Sequence, residues 1–355
     1  MPVKNMYSYW AKQPETLAAL VQEREALTQP FVRLFRAAGP DRLYLIGSGS
    51  SFNAARAAAP FMQEMLGIET GAFTPTAFPG VFSDRPLVVL LSQGGSSTNM
   101  LAAAEALAPH PLIAVTGEAE CELARRVKHH MLIGCGEELA GPKTMGYTAS
   151  VMCLYLCALE AGRAAGKLEG AGYTATLGIL ARACEDMRRN LARTESWFAQ
   201  NLERLKKIKK YVLVGNGCGA AAAAEGALKI LETVRVPALA YEFEEYLHGP
   251  VFSTDEELGG IFFAGPQENE RLLGLAGCHA AHSKYTFVLR PGETEQGQGD
   301  LALCMTGAPY TQIFEFLPAP QLIAARLPEI LEIPDGLAVF REFSSRWPTK
   351  FGGGR

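Results

Sequence analysis

LYLIGSGSSFNAARAAAPFMQE (residues 43–64) and YVLVGNGCGAAAAAEGALKILE (residues 211–232) read as two versions of one pattern. Each opens with an apolar run of strand length, breaks at glycines, and continues as an Ala-rich stretch of helical character. Laid together, Gly47 falls on Gly215 and Gly49 on Gly217, an offset of 168 residues. Such self-similarity implies duplication of one strand–turn–helix unit.

Working outward, LVVLLSQ (87–93), PLIAVTG (111–117) and HMLIGCG (130–136) read as further buried strands after the first copy. GIFFAGP (260–266), YTFVLRP (285–291) and FEFLPAP (314–320) read as strands after the second. Strands alternating with helices imply parallel sheets covered on both faces. Helical spacing of Leu17, Leu20 and Val21 behind Gln13-Pro14 makes the first 35 or so residues helical. A long apolar helix is expected from about Thr148 to Ala164, and a helical connector over about 175–208. The expected organisation is a helical segment (1–35), a first α/β domain (36–170), a connector (171–208), a second α/β domain (209–340) and a tail (341–355). The fold class is α/β, two tandem three-layer α-β-α sandwiches, each with a mainly parallel sheet.

At 355 residues the chain can bury two cores, and its 48% hydrophobic and 20% charged content is that of a globular protein. A net charge of -4 and a basic cluster no longer than Lys206-Lys207, Lys209-Lys210 offer nothing to nucleic acid. The start MPVKNMYSYWAKQPETL lacks the apolar core of a secretory signal, and no apolar stretch reads as a membrane span. The eight cysteines form no CxxC pair and no zinc spacing, and Cys153 and Cys157 lie one helical turn apart in an apolar run, as core residues do. Reduced thiols and a cytoplasmic location are expected.

A strand that stops at glycine and opens a helix offers backbone N–H groups and a positive helix end to an anion. The first such turn is Gly47-Ser48-Gly49-Ser50-Ser51, and the next strand ends in Ser92-Gln93-Gly94-Gly95-Ser96-Ser97-Thr98. Hydroxyls and amides at two neighbouring strand ends can hold a phosphate without a lysine. The dinucleotide fingerprint fails because Phe52 stands where the third glycine belongs, and no GK[ST] marks a P-loop. Each turn alone is equally compatible with ordinary turn chemistry. The second copy, Gly215-Asn216-Gly217-Cys218-Gly219, has lost the serines, which suggests that the halves differ in task.

Glu225, Lys229 and Glu232 share one face of the second Ala-rich helix at i, i+4 and i+7. They face either a crevice or, as an ion-pair stripe, the solvent. His248 precedes Gly-Pro in YLHGP, where a turn projects a side chain; a structural role stays open beside a functional one.

These motifs, with GEELAGPKTMGYT (136–148), EGALKILE and YLHGP, resemble the sugar isomerase (SIS) family over nearly the whole chain. The likeness is to the isomerase portion of glucosamine-6-phosphate synthases and to the fructosamine phosphate deglycases. It implies two tandem SIS domains. It implies sugar-phosphate binding by Ser48, Gly49, Ser50, Ser51, Ser92, Gln93, Ser97 and Thr98, with Gly94 where the family usually has another serine. It implies Glu232 as catalytic base, Lys229 as its helix lysine and His248 as the ring-opening group, 16 residues after Glu232. Glu138, Lys143 and Thr144, and a C-terminal lysine corresponding to Lys350, are implied as pocket residues. The implied reaction is hydrolysis of a fructosamine 6-phosphate to an amine and a hexose 6-phosphate. Aldose–ketose isomerisation or deamination of an amino-sugar phosphate, and a non-catalytic phosphosugar sensor, are the alternatives. No metal or other cofactor is expected. A homodimer or larger homo-oligomer is implied, because in such relatives the histidine often comes from a neighbouring subunit.

Overall fold

The computed structural model describes residues 6–267, 269–294, 297, 299–334 and 338–352. The first five residues of the expected helical segment and the last three of the expected tail lie outside these. The chain divides into two compact units. One comprises Glu15–Gly178 with the described residues from Pro334 onward, the other residues 6–14 with Ile179–Ile333.

In order, the elements are α1 (Met6–Ala38), β1 (Arg42–Ile46), α2 (Ser50–Leu66), β2 (Glu69–Phe73), β3 (Pro86–Ser92), α3 (Thr98–Ala106), β4 (Leu112–Thr116), α4 (Glu122–Arg126), β5 (His129–Leu132) and α5 (Met145–Ala164). There follow α6 (Gly170–Leu205), β6 (Lys210–Gly215), α7 (Gly217–Thr233), β7 (Ala238–Glu242), α8 (Phe243–Leu247), β8 (Leu258–Phe263), α9 (Asn269–His282), β9 (Thr286–Pro291), β10 (Leu301–Leu303), α10 (Gln312–Phe316), α11 (Pro318–Ile330) and α12 (Ala338–Arg346).

The first unit holds a five-stranded sheet in the order β2-β1-β3-β4-β5, and the second one in the order β7-β6-β8-β9-β10. Every pairing is parallel. The two orders correspond strand for strand, so the duplication read from glycines extends to topology. Each unit is an α/β sandwich with a parallel sheet.

The glycines explain why the copied turns survive. A Cβ on Gly47 would stand 2.7 Å from Phe52 N, and one on Gly215 would stand 2.7 Å from the Gly219 carbonyl carbon. Gly49 and Gly217 both take positive φ, 57° and 50°. The helix can therefore start immediately beyond the strand, with its first amides at the strand tip.

α5 is buried from Met145 to Gly162 because nearly every side chain is apolar or small. It packs on α2, with the Phe61 and Tyr155 rings 4.2 Å apart. Cys153 and Cys157 are both fully buried there as core residues.

The expected strand at 314–320 is instead helix, α10 running into α11. Ile313, Phe314, Phe316 and Leu317 are all fully buried, and a run apolar on every side carries no period by which to tell strand from helix. Pro318 sits at the first turn of α11, where its missing N–H costs nothing, and its carbonyl accepts from Trp10 Nε1 at 2.9 Å. The last strand of the second sheet is β10, which ends where Asn190 clamps Cys304 through both its backbone N–H and its carbonyl.

Candidate functional site

In the first unit the two Gly/Ser turns follow neighbouring strands, β1 and β3. Ser51 N donates to Ser48 O at 3.1 Å as α2 begins. Asn99, in the first turn of α3, donates from Nδ2 to Ser48 Oγ at 3.0 Å and ties the two turns together. Ser97 is the N-cap of α3, and Thr98 is its first residue. Ser92 is buried at the end of β3. Hydroxyls of both turns and the amino ends of α2 and α3 are thus held at one edge of the strand tips, as phosphate requires.

The C-terminal segment runs onto the second turn. Lys350 bridges Ser97 in antiparallel fashion, the Thr349 carbonyl accepts from Thr98 N at 3.0 Å, and Phe351 N donates to Ser96 O at 2.7 Å. The Arg126 guanidinium lies over the Phe351 ring, 5.1 Å from its centre. Lys350 is therefore placed beside the serine turn.

The GEELAGPKTMGYT segment is organised by Glu138. Its carboxylate accepts from Thr144 N at 2.8 Å, Thr144 Oγ1 at 3.0 Å and Gly146 N at 2.7 Å, so it caps α5. Glu138 and Thr144 are both buried. The Glu138 carbonyl accepts from Lys143 Nζ, which holds that half-buried ammonium. Burial pushes the Lys143 pKa below its ordinary value, and the positive charge of Lys350 adds to the effect against the pull of Glu138 and Glu118.

Gln93 does not run along its turn. Its Nε2 donates to Cys135 Sγ at 3.4 Å, and its amide fills space left by two glycines: a Cβ on Gly146 would meet Gln93 Cδ at 2.8 Å, and one on Gly117 would meet Nε2 at 2.3 Å. The side chain is packed against Gly117, Gly146 and the Cys135 thiol.

In the second unit α7 carries the charged face. Glu225 is 0% and Lys229 1% exposed, whereas the Glu232 side chain is 37% exposed. Lys229 Nζ lies 2.5 Å from Glu232 Oε2 and 3.5 Å from Glu225 Oε1. Burial works against the ammonium, but the two carboxylates outweigh it and hold the lysine above its ordinary pKa. The stripe is thus no solvated ion-pair row. It is a buried Lys–Glu pair that presents a second carboxylate at the surface.

His248 caps the C-terminal end of α8 on an exposed turn, its N–H bonded to Glu245 O at 3.2 Å. Gly249 behind it has φ 151°, which favours glycine. Glu232 is engaged by Lys229, not by His248. A cleft of about 810 Å³, lined by Asn216, Gly217, Glu242, Phe243, Glu244, Glu270 and Arg271, opens at the tips of β6 and β7.

Asn99, Thr349 and Phe351 were not singled out in the sequence. A single asparagine after Thr98, and a tail with no periodicity, carry no local signal. Among the described residues no group of three or more His, Cys, Asp or Glu is arranged to hold a metal ion, and no helix is long and apolar enough to cross a membrane.

Residues 38–160 match the SIS domain model. The glutamine–fructose-6-phosphate aminotransferase (isomerizing) of Aeropyrum pernix is 26% identical over 303 residues, which span 82% of this chain and 48% of that protein. That of Gloeobacter violaceus is 26% identical over 231 residues, 64% of this chain and 38% of that protein. The chain thus spans less than half the length of these two relatives. Among solved structures, a Clostridium difficile protein assigned as a phosphosugar isomerase superposes with a TM-score of 0.89 at 22% identity, covering 98% of this chain and 99% of that one. The C-terminal domain of glucosamine-fructose-6-phosphate aminotransferase from Francisella tularensis gives 0.79 at 17% identity, covering 92% and 95%. These likenesses show the fold of both units.

Proposed function

With residues 38–160 an SIS domain and both units in that fold, we propose that this protein is a phosphosugar enzyme that hydrolyses a fructosamine 6-phosphate. The observation that carries a catalytic reading, as opposed to mere binding, is the pairing of a fully buried lysine with a carboxylate left open to solvent, Lys229 with Glu232. The Lys229 ammonium 2.5 Å from Glu232 Oε2 holds that carboxylate in one orientation, which is what a proton-transferring base needs.

In this reading the serine turns of the first unit hold the phosphate through Ser48, Ser50, Ser51, Ser97 and Thr98. Lys350, bridged to Ser97, supplies a positive charge. Lys143, half-buried and held by the Glu138 carbonyl, supplies a second. His248 moves a proton from the anomeric hydroxyl to the ring oxygen and opens the sugar. Glu232 removes a proton from C1 while the C2 oxygen takes up a proton from solvent, which leaves the enaminol; it then delivers its proton to C2 as the nitrogen gives its own proton up to solvent. The product is an aldose imine. Water adds to it, the C–N bond breaks, and an amine and a hexose 6-phosphate leave.

The same two-carbon proton transfer without nitrogen interconverts ketose and aldose. Structures in this fold include a protein named tagatose-6-phosphate ketose/aldose isomerase, from Escherichia coli, with TM-score 0.72 at 17% identity. One experiment separates the readings. The protein is incubated with a fructosamine 6-phosphate and, separately, with ketose 6-phosphates, in heavy water. Deglycation is expected to release free amine and a hexose 6-phosphate, with deuterium at C2 only in those turnovers in which the proton held by Glu232 exchanges with solvent. Ketose–aldose exchange without any amine release would overturn it in favour of an isomerase.

A further inference from the structure

A second cleft, of about 520 Å³, lies in the first unit and shares no lining residue with either serine turn. Its walls come from the last turns of α1, through Gln29, Arg33 and Leu34, and from the start of β5, through Lys128, His129 and His130. We propose that this cleft is a separate binding site for a small phosphorylated molecule, gripped at its dianionic end by Arg33 and Lys128.

The fold builds the cleft by laying α1 against the outer strand of the sheet. A Cβ on Gly134, just after β5, would meet Leu20 Cδ2 at 2.7 Å and Leu27 Cδ1 at 3.0 Å, so leucine side chains of α1 pack directly on that backbone. Further along α1, Arg33 and Ala37 reach the beginning of β5. β5 is the edge strand, β4 separates it from β3, and all three run parallel, so the cleft at the start of β5 lies at the opposite end of the strands from the turn that follows β3.

The charge balance is the second argument. The chain is acidic overall, with a formal net charge of -4, yet among the described residues no carboxylate lines this cleft. Most exposed arginines elsewhere are paired: Arg125 with Glu122, Arg126 with Glu105, Arg163 with Glu25, Arg271 with Glu244. Among the described residues Arg33 and Lys128 make no ion pair. Two uncompensated cations turned into one concavity repel each other, and a dianion relieves that repulsion. A guanidinium matches two phosphate oxygens at once and an ammonium a third.

The remaining lining agrees. His130 Nε2 is 2.7 Å from Thr116 Oγ1, and burial lowers its pKa, so it enters as a neutral wall; Glu120 is the charge that opposes this shift. Pro30, Leu34 and Ala37 supply an apolar side, and Gln29 an amide for a hydroxyl. A cleft of this volume is of the size that holds small metabolites.

The test is calorimetric titration of the full chain with inorganic phosphate and with a hexose 6-phosphate. Wild-type protein is expected to bind two equivalents. Arg33→Ala/Lys128→Ala, both surface changes, should lose one equivalent or weaken it by about an order of magnitude while leaving the serine-turn equivalent intact. Ser50→Ala/Ser51→Ala should do the reverse, so failure here and failure of the phosphosugar reading are distinguishable. A hexose 6-phosphate that binds this site no better than inorganic phosphate would narrow the ligand to the free anion. Two equivalents surviving unchanged in the Arg33/Lys128 variant, or a single wild-type equivalent that the serine variant abolishes, would overturn the proposal.

Discussion

The Asn99 amide donates to the Ser48 hydroxyl at 3.0 Å and joins the turn after β1 to the turn after β3. Since Ser48 precedes α2 and Asn99 lies inside α3, this one bond sets the spacing of two helix starts. Asn99→Ala should weaken substrate binding, raising KM by about three- to tenfold, the equivalent of about 1 kcal/mol for one lost hydrogen bond, with kcat little changed. Steady-state kinetics on the purified variant would read this directly; a fall in kcat with constant KM would place Asn99 elsewhere in the reaction.

Glu232→Gln should lower kcat by about 100- to 10,000-fold with little change in phosphate-dependent binding, because the amide keeps the shape and loses the base. Since the Glu232 side chain is 37% exposed, the fold should be unaffected. Near-normal turnover in this variant would remove Glu232 from the mechanism.

Lys229→Met is expected to behave differently. It leaves Glu225, 0% exposed, without its counter-charge, and breaking such a buried pair destabilises by about 3–5 kcal/mol. Denaturant unfolding should show the loss, and Glu225→Gln/Lys229→Met should recover much of it.

The tail contact makes a titration prediction. Lys350 lowers the Lys143 pKa, second to burial among the effects that do so, so Lys350→Ala should raise it. NMR of isotopically methylated lysines across pH would show the Lys143 resonance titrating later in the variant. A curve unmoved by the substitution would mean that Lys350 leaves Ser97 in solution.

Two buried groups in the second unit oppose each other in acid stability. Burial lowers the His279 pKa to about 4, so its contribution is complete above the unfolded value of 6.5 and is lost as pH falls toward 4. Burial raises the Glu315 pKa to about 7, so its contribution is complete below the unfolded value of 4.5 and is lost as pH rises through 7. Melting temperatures across pH should therefore decline on both sides, and Glu315→Gln should flatten the alkaline side alone.

The parts of this molecule legible in sequence are those with a local cause. Gly47 and Gly215 are required by backbone that leaves no room for a Cβ, so the duplication could be read from two glycine pairs. Glu225, Lys229 and Glu232 were placed on one face by helical periodicity, but whether that face was wet or dry depended on what packs over it. The run at 314–320 misled because uniform burial erases periodicity. Glu138 was legible as a residue of interest, yet its use as a cap for α5 depends on a turn that only the folded segment forms. The approach of Lys350 to Ser97 joins residues 253 positions apart, and nothing local announces it.

The buried Lys229–Glu225 contact also constrains how this helix can change over evolutionary time. Losing Lys229 first removes the counter-charge of fully buried Glu225, whereas losing Glu225 first leaves Lys229 paired with Glu232, so the order of loss decides the cost. Lineages that abandon catalysis should keep this pair long after Glu232 has drifted, and its persistence is then a relic of folding rather than a sign of activity.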